Sequence, residues 1–349
     1  MGSLFRYAGV NARVKTLMSK MLNDKDYDEL LQMSSIQNIY NYLYEKTDYT
    51  EHLEKISGQE IHRLKFERTL KKSFLNDYNV ILLYLSGPAR LFFKYLFNKF
   101  KIEDLKLLLR TILIEHDEDY LKENLIYLGV CPGISINKLT QIKSYKDLLN
   151  VFDNTDYYDI LHRFEERYKR DKNLFPIEMS LDFRYFTELG RRAKRLNSDD
   201  YRVVRDLLGT QIDLLNINWI YRIKRFYDLN QEEILNYTLP YHYRLSEEDL
   251  KELSRLNDAE DIFTYLVGTS YNMLFPPDRQ DRTILFEEYF LSYLFKKAKK
   301  SILNGNFNIG IVSGYLFLKE YEIKDIITII EGVRYQLNSE EIKKYLIRD

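Results

Sequence analysis

The residues with the most suggestive chemistry lie near the start of the sequence, where Gly9-Val-Asn-Ala-Arg-Val-Lys15-Thr16 approaches the pattern of a phosphate-binding loop. Such a loop needs a second glycine before the lysine, so that backbone N–H groups can approach the phosphates closely. Val14 occupies that position, and no strand-like segment precedes the motif. The segment therefore predicts an amphipathic N-terminal helix rather than a nucleotide site.

Other side chains capable of catalysis are scattered along the chain. The histidines form no HExxH motif, and Gly310-Ile-Val-Ser313-Gly314 has the wrong order for a nucleophile elbow. Adjacent acidic pairs such as Glu247-Glu248 fall in or near predicted first turns, where they complement the helix dipole. One cysteine, Cys131, excludes an intrachain disulfide and a cysteine-based metal site. We therefore expect no catalytic, cofactor or metal site.

The overall charge and hydropathy limit the classes of partner. The 349 residues carry 52 Lys+Arg and 53 Asp+Glu, so no basic excess favours a nucleic-acid partner. The apolar runs are shorter than the roughly 20 residues that span a bilayer. The N-terminal stretch also lacks the apolar core of a secretory signal. Only six Pro and 13 Gly interrupt the chain, which favours helices over a turn-rich β fold.

A seven-residue pattern recurs three times and organises the chain. It begins with Asn216 and ends with Arg222, and it is repeated at 104–110 and 325–331. The intervals of 112 and 109 residues indicate a triplicated module. Its terminal positions are Asp104, Arg110, Asn216, Arg222, Asp325 and Glu331. We interpret them as structural, and a role in binding is the alternative for the arginines.

A second repeat marks the start of each module. Six apolar positions within 30–43 are apolar again within 139–152 and 253–266, with the spacing of one helix face. Ser35, Ser144 and Asp258 are expected to cap these helices. Each copy then closes with a T-x-Y turn whose tyrosines are Tyr49, Tyr157 and Tyr271.

The segments between these repeats read as long amphipathic helices. They are predicted at 60–84, 89–113, 158–168, 178–195, 199–226, 283–303 and 311–331, and Pro or Gly separates several of them. The prediction is an all-α fold of three similar helical lobes: lobe 1 (1–115), lobe 2 (116–228) and lobe 3 (229–349). The spacing does not distinguish a row of lobes from a closed pseudo-threefold ring.

Two basic runs could form a contact surface. They consist of Arg191, Arg192, Lys194 and Arg195 in lobe 2, and of Lys296, Lys297, Lys299 and Lys300 in lobe 3. One interpretation is a solvated helix face. The other is contact with an acidic protein partner or with lipid headgroups.

Four stretches, taken in order, resemble a known family. They are 7–17 (YAGVNARVKTL), 174–189 (LFPIEMSLDFRYFTEL), 211–237 and 307–330 (FNIGIVSGYLFLKEYEIKDIITII). The chain resembles the C subunit of prokaryotic A/V-type rotary ATPases, which is the counterpart of the d subunit of eukaryotic V-ATPases. Glu331 departs from the family pattern, in which an arginine is common at that position.

The resemblance implies a non-catalytic rotor part. Three lobes would form a funnel with pseudo-threefold symmetry on the cytoplasmic face of the membrane proteolipid ring. The cavity of the funnel would receive the central axle, made of the D and F subunits. The chain would transmit torque that couples ATP hydrolysis or synthesis to proton or sodium transport, and it would associate with the membrane by docking. A generic helical-repeat scaffold for other protein partners is the alternative.

Overall fold

The computed structural model describes residues 3–57, 61–114, 118–130, 134–227, 229–239, 241–274, 286–305 and 308–348. All regular structure in these ranges is helical, which confirms the predicted all-α class. Three short 3₁₀ turns, at Glu54–Ile56, Leu128–Val130 and Asn272–Leu274, accompany the α-helices.

Each lobe begins with short helices and ends with long ones. Lobe 1 contains α1 Ser3–Met18, α2 Asp24–Leu31, α3 Ile36–Lys46, α4 Thr50–Leu53, α5 Arg63–Tyr84, α6 Gly87–Leu96 and α7 Asn98–Ile114. Lobe 2 contains α8 Glu118–Asn124, α9 Ile136–Thr140, α10 Tyr145–Phe152, α11 Tyr158–Arg163, α12 Glu165–Asp171, α13 Phe175–Ala193 and α14 Ser198–Phe226. Lobe 3 contains α15 Gln231–Asn236, α16 Glu247–Arg255, α17 Asp261–Val267, α18 Phe286–Leu303, α19 Gly310–Arg334 and α20 Ser339–Lys343.

Capping boxes fix the starts of many short helices. Side chain and backbone pair reciprocally at the first turns of α2, α10, α15, α16 and α20, whose caps are Asn23, Ser144, Asn230, Ser246 and Asn338. Ser35 caps α3 as expected. The prediction for Asp258 is wrong, because α17 begins later, at Asp261, and its cap residue Glu260 makes no side-chain capping bond.

Two predicted helices are each divided in two. The helix expected at 89–113 breaks at Phe97 into α6 and α7, and the one expected at 158–168 breaks at Phe164. Residues 60 and 283–285, at two other predicted helix starts, lie outside the described ranges.

Tyrosine hydroxyls satisfy the carbonyl groups at these internal helix ends. Tyr78 donates to the Phe93 carbonyl (2.6 Å) and Tyr185 to that of Leu96 (3.1 Å), both in the last turn of α6. Tyr145 donates likewise to Leu161 of α11 (2.7 Å). Because the last carbonyls of a helix lack intrahelical partners, such donors from neighbouring helices stabilise the breaks. Many of the 30 tyrosines therefore belong to the core rather than to a surface.

The T-x-Y turn has the same bonds in all three copies. The threonine hydroxyl donates to a carbonyl of the preceding helix and accepts the N–H of the tyrosine two residues later. The threonines are Thr47, Thr155 and Thr269. Each turn thereby closes one helix and fixes the direction of the next segment.

Packing between long helices closes a cycle around the molecule. Helices α6 and α7 of lobe 1 pack against α13 of lobe 2, and α14 packs against α18 of lobe 3. Helix α19 then packs against α5, α1 and α3 of lobe 1. In an open row the third lobe would not meet the first, so the helix packing is that of a ring.

Candidate functional site

A cavity of about 670 Å³ lies where the three repeated-pattern helices meet. Helices α7, α14 and α19 contribute most of its wall, and α5, α13 and the 124–127 segment complete it. Trp219, the only tryptophan of the chain, is one of the lining residues. All three lobes therefore share a single concavity.

The lining residues recur at the same intervals as the repeated pattern. The equivalent sets are Lys99, Gln211 and Glu320; Glu103, Leu215 and Lys324; and Lys106, Asn218 and Ile327. Since positions 99, 103 and 106 follow one helix face, each helix presents an equivalent stripe to the cavity. The apolar positions of the pattern face the opposite way, into the core.

An ion pair across the lobes marks the inner end of the cavity. Lys99 of α7 donates to Glu320 of α19, and Lys324 approaches the same carboxylate at 3.2 Å. Burial alone would raise the pKa of Glu320, but the two ammonium groups outweigh it and lower that pKa to about 2. Glu320 therefore stays ionised and ties lobe 3 to lobe 1.

A second charged group joins lobes 1 and 2. The ammonium of Lys106 donates to Asp182 of α13 (2.7 Å) and to Glu103 (3.0 Å). Burial raises the pKa of Asp182 to about 6, although Lys106 opposes the shift. The wall of the cavity is thus polar and largely paired within itself.

The first positions of the repeated pattern accept backbone hydrogen bonds. Asp104 Oδ2 accepts the N–H groups of residues 126–128 at 3.0, 2.6 and 2.8 Å. Asn216 bonds both the N–H (2.7 Å) and the carbonyl of Leu239, and Asp325 accepts the N–H of Ile347 (2.7 Å). All three side chains are buried, so they anchor the chain that leaves each long helix.

The last positions of the pattern link neighbouring lobes. Arg110 makes two parallel bonds of 2.8 Å with Glu178 of α13. Glu331 pairs with Arg63 of α5 and lies 3.1 Å from Arg334. The acidic residue at 331 is therefore matched by a basic partner, with the signs reversed relative to Arg110 and Glu178. Arg222 lines the cavity.

Two of the three signature tyrosines bond to acids on the preceding long helix. Tyr271 donates to Asp213 (2.6 Å), and Tyr49 donates to Glu322 (2.8 Å) while accepting from Lys319 (2.9 Å). Glu322 belongs to α19 of lobe 3 and Tyr49 to lobe 1, so this bond crosses the closure of the ring. The ring of Tyr157 packs edge-on against Phe152.

The basic runs are only partly available at the surface. Lys297 donates to Asp206 of α14, and Arg192 lies over the ring of Tyr95. Arg191 pairs with Glu188, also on α13. Lys194, Arg195, Lys296, Lys299 and Lys300 are exposed. Each run therefore has an inward member that joins lobes and outward members that face solvent.

The near phosphate-loop motif is part of a helix. Residues Gly9–Thr16 lie inside α1, which leaves no loop to cradle a phosphate. Over the described ranges, no cluster of three or more His, Cys, Asp or Glu side chains could hold a metal ion. No helix in the same ranges is both long and apolar enough to cross a membrane.

The most informative polar positions were not singled out by the repeated apolar patterns. Lys99, Gln211 and Glu320 are separated by the same 112 and 109 residues as the repeated pattern, and Asp213 and Glu322 by 109. Extending the comparison to non-identical polar residues would have found them. They escaped notice because equivalent positions carry different charges.

Comparisons with known proteins agree along nearly the whole chain. A family model for the ATP synthase (C/AC39) subunit matches residues 10–345. The C subunit of the A-type ATP synthase of Methanocaldococcus jannaschii is 27% identical over 346 residues, which covers 98% of this chain and 86% of that protein. Proteins with the same description are 26% identical in Methanosphaera stadtmanae (98% and 88% covered) and 22% identical in Methanococcoides burtonii (99% and 95% covered).

Proposed function

The chain belongs to the ATP synthase (C/AC39) subunit family, a family of non-catalytic subunits of A/V-type ATPases, and from this premise we propose that it is the socket of the rotor. In this role it joins the central axle, formed by the D and F subunits, to the membrane proteolipid ring. It transmits torque between ATP hydrolysis or synthesis and the transport of protons or sodium ions.

The central cavity is the observation that carries the proposal. It lies between α7, α14 and α19 and is shared by all three lobes. An axle seated there would meet walls from every side, so a turning force would act on the whole ring of lobes. A site on one lobe would instead load a single interface.

The cross-lobe contacts support the transmission of torque. Polar groups join lobe 1 to lobe 2 through Lys106 and Asp182, lobe 2 to lobe 3 through Lys297 and Asp206, and lobe 3 to lobe 1 through Lys99 and Glu320. Close-packed helical interiors deform little under load. A ring fastened at all three junctions is suited to turning as one body.

The proposed place of the protein is the cytoplasmic face of the membrane, where it is held by docking to the proteolipid ring. This follows from the socket role, because the axle carries torque from the soluble catalytic head. The exposed basic residues at 194–195 and 299–300 are suited to contact with anionic groups near the membrane surface.

The test is reconstitution of the rotary complex from purified parts, with and without this chain. With the chain, we expect the D and F subunits to bind the proteolipid ring and ATP hydrolysis to drive ion uptake into vesicles. Without it, hydrolysis should persist while ion uptake is lost. Full coupling in the absence of the chain would refute the proposed socket role.

A further inference from the structure

Three large apolar side chains are exposed at equivalent positions of the three cavity helices. Ile114, Phe226 and Tyr335 are 59%, 67% and 65% exposed and stand at the C-terminal ends of α7, α14 and α19. The intervals between them are again 112 and 109 residues. We refer to these three residues as the crown.

The crown continues the helix face that lines the cavity. Each member lies four residues beyond Arg110, Arg222 or Glu331, one helical turn further along. In α14 the cavity stripe runs through Gln211, Leu215, Trp219 and Arg222, and Phe226 follows in the same register. The crown therefore stands at the rim of the cavity, on the side away from the Lys99–Glu320 pair.

Monomers rarely leave large apolar groups exposed together, and such a patch with polar surroundings marks a protein interface. Here the patch is a collar around a polar hollow, because the cavity wall contains Lys71, Lys106, Asp182 and Lys324. A flat apolar surface laid across the rim would leave these charges buried without new partners, at a considerable cost. A protruding partner with a polar tip could pair with them.

We propose that the crown grips the end of the helical axle, with its apolar side chains around the collar and the polar tip of the axle in the cavity. This inference rests on the proposed socket role and adds the residues and the end of the molecule involved. The axle must then enter from the C-terminal ends of α7, α14 and α19. Residues at the other end of these helices have no part in gripping it.

The opposite end of the molecule offers a matched control. Leu83 and Leu303 are 73% and 77% exposed, at the ends of α5 and α18. Helix α5 runs antiparallel to α19, since Asp77 bonds Tyr315 (2.6 Å) while Arg63 pairs with Glu331. Both leucines therefore lie near the start of α19, whose 25 residues extend about 37 Å to the crown.

The experiment measures the affinity of the full chain for purified D–F complex. The variants are Phe226→Ser, the triple change Ile114→Ser/Phe226→Ser/Tyr335→Ser, and the control Leu83→Ser/Leu303→Ser. We expect Phe226→Ser to weaken binding about 10-fold and the triple variant about 100-fold or more, because buried aromatic anchors dominate interfaces. The control should stay within about 2-fold of the wild type. All changes are at exposed positions, and circular dichroism with a thermal midpoint verifies folding.

Capture by the purified proteolipid ring completes the design. The triple variant should bind the ring as well as the wild type does. Unchanged axle binding by the triple variant overturns the crown assignment, and so does loss of ring capture, with or without loss of axle binding. Failure of the wild-type chain to bind D–F would instead refute the socket itself, so the two outcomes are distinguishable.

Discussion

Asp104, Asn216 and Asp325 each hold a backbone segment that lies 22 to 24 residues further along the chain. Asp and Asn can share this role because both present a side-chain oxygen to a backbone N–H. They differ in the energetic cost of burial, since only the carboxylate carries a charge. The Asn at 216 shows that the fold accepts a neutral acceptor at this position.

The first prediction concerns Asp104→Asn and pH. Burial raises the pKa of Asp104 from its ordinary 3.8 to about 6, despite the three N–H donors. The folded state therefore binds the extra proton between about pH 4 and 6, and the free energy of unfolding falls as pH rises through that window. We expect the variant to lose less stability over this range, by about 2–3 kcal/mol.

Urea unfolding of both proteins at pH 4.5 and 7.5 measures this difference. Asp182, whose pKa burial also raises to about 6, should leave some pH dependence in the variant. Parallel stability profiles for the wild type and Asp104→Asn would contradict the prediction.

The second prediction concerns the tyrosine at the third T-x-Y turn. Tyr271→Phe removes one hydrogen bond from the buried Asp213 carboxylate, which keeps the N–H groups of residues 243–245 as donors. We expect a loss of about 1.5–3 kcal/mol in the free energy of unfolding at pH 7. The control Tyr84→Phe, at a ring that is 51% exposed, should change it by less than about 0.5 kcal/mol. Equal effects of the two changes would refute the proposed importance of the bond.

At the scale of the element, the hairpin of α18 and α19 is built around close backbone approach. A β-carbon at Gly314 would stand 2.6 Å from the Ala298 carbonyl oxygen and 2.5 Å from Ile302. The small residues near 310–314 therefore serve packing, as the sequence suggested. By contrast, a β-carbon at Gly9 in α1 would meet only Tyr84, at an ordinary 3.7 Å.

The third prediction compares alanine at these two helical glycines. Gly314→Ala should reduce the free energy of unfolding by about 1–3 kcal/mol, because α18 and α19 must separate to admit the methyl group. Gly9→Ala should raise it by about 0.5–1 kcal/mol, since alanine restricts the unfolded chain and favours helix. Thermal and urea unfolding measure both. A stabilising Gly314→Ala would show that the interface can relax.

At the scale of the whole molecule, triplication creates equivalent positions around one axis, and divergence makes them different. Lys99, Gln211 and Glu320 carry three different charges at one level of the cavity. Three identical charges there would repel one another, whereas the observed set forms an ion pair. The crown residues differ as well, so an asymmetric axle would meet three unlike walls and could be held in one orientation.

The fourth prediction tests how this pair fastens lobe 3 to lobe 1. Glu320→Leu leaves Lys99 without its carboxylate partner and should cost about 2–3 kcal/mol of unfolding free energy. Adding Lys99→Met should restore most of the loss, because two apolar side chains fill the site without an unpaired charge. Unfolding of the wild type, both single variants and the double variant forms the cycle that measures the coupling. A double variant no more stable than Glu320→Leu would exclude a direct pairing role.

The sequence by itself determined the all-α class and the family, and it predicted many helix starts and the repeated pattern. These features are local or periodic: a capping box such as Ser144 with Asp147 needs only adjacent residues, and a helical face repeats every turn. Self-similarity adds long-range information without requiring knowledge of the fold. Asp258 was wrongly expected to act as a cap, because a good cap residue is not sufficient where the helix begins elsewhere.

Only the tertiary structure decided the helix breaks at Phe97 and Phe164, the closure of lobe 3 onto lobe 1, and the shared cavity. Each break depends on hydroxyl groups from other helices, such as Tyr78 and Tyr145, whose approach no local pattern encodes. The closure rests on bonds between residues far apart in sequence, such as Tyr49 and Glu322. Spacing along a chain specifies which faces are alike, whereas packing of side chains in three dimensions decides which of those faces meet.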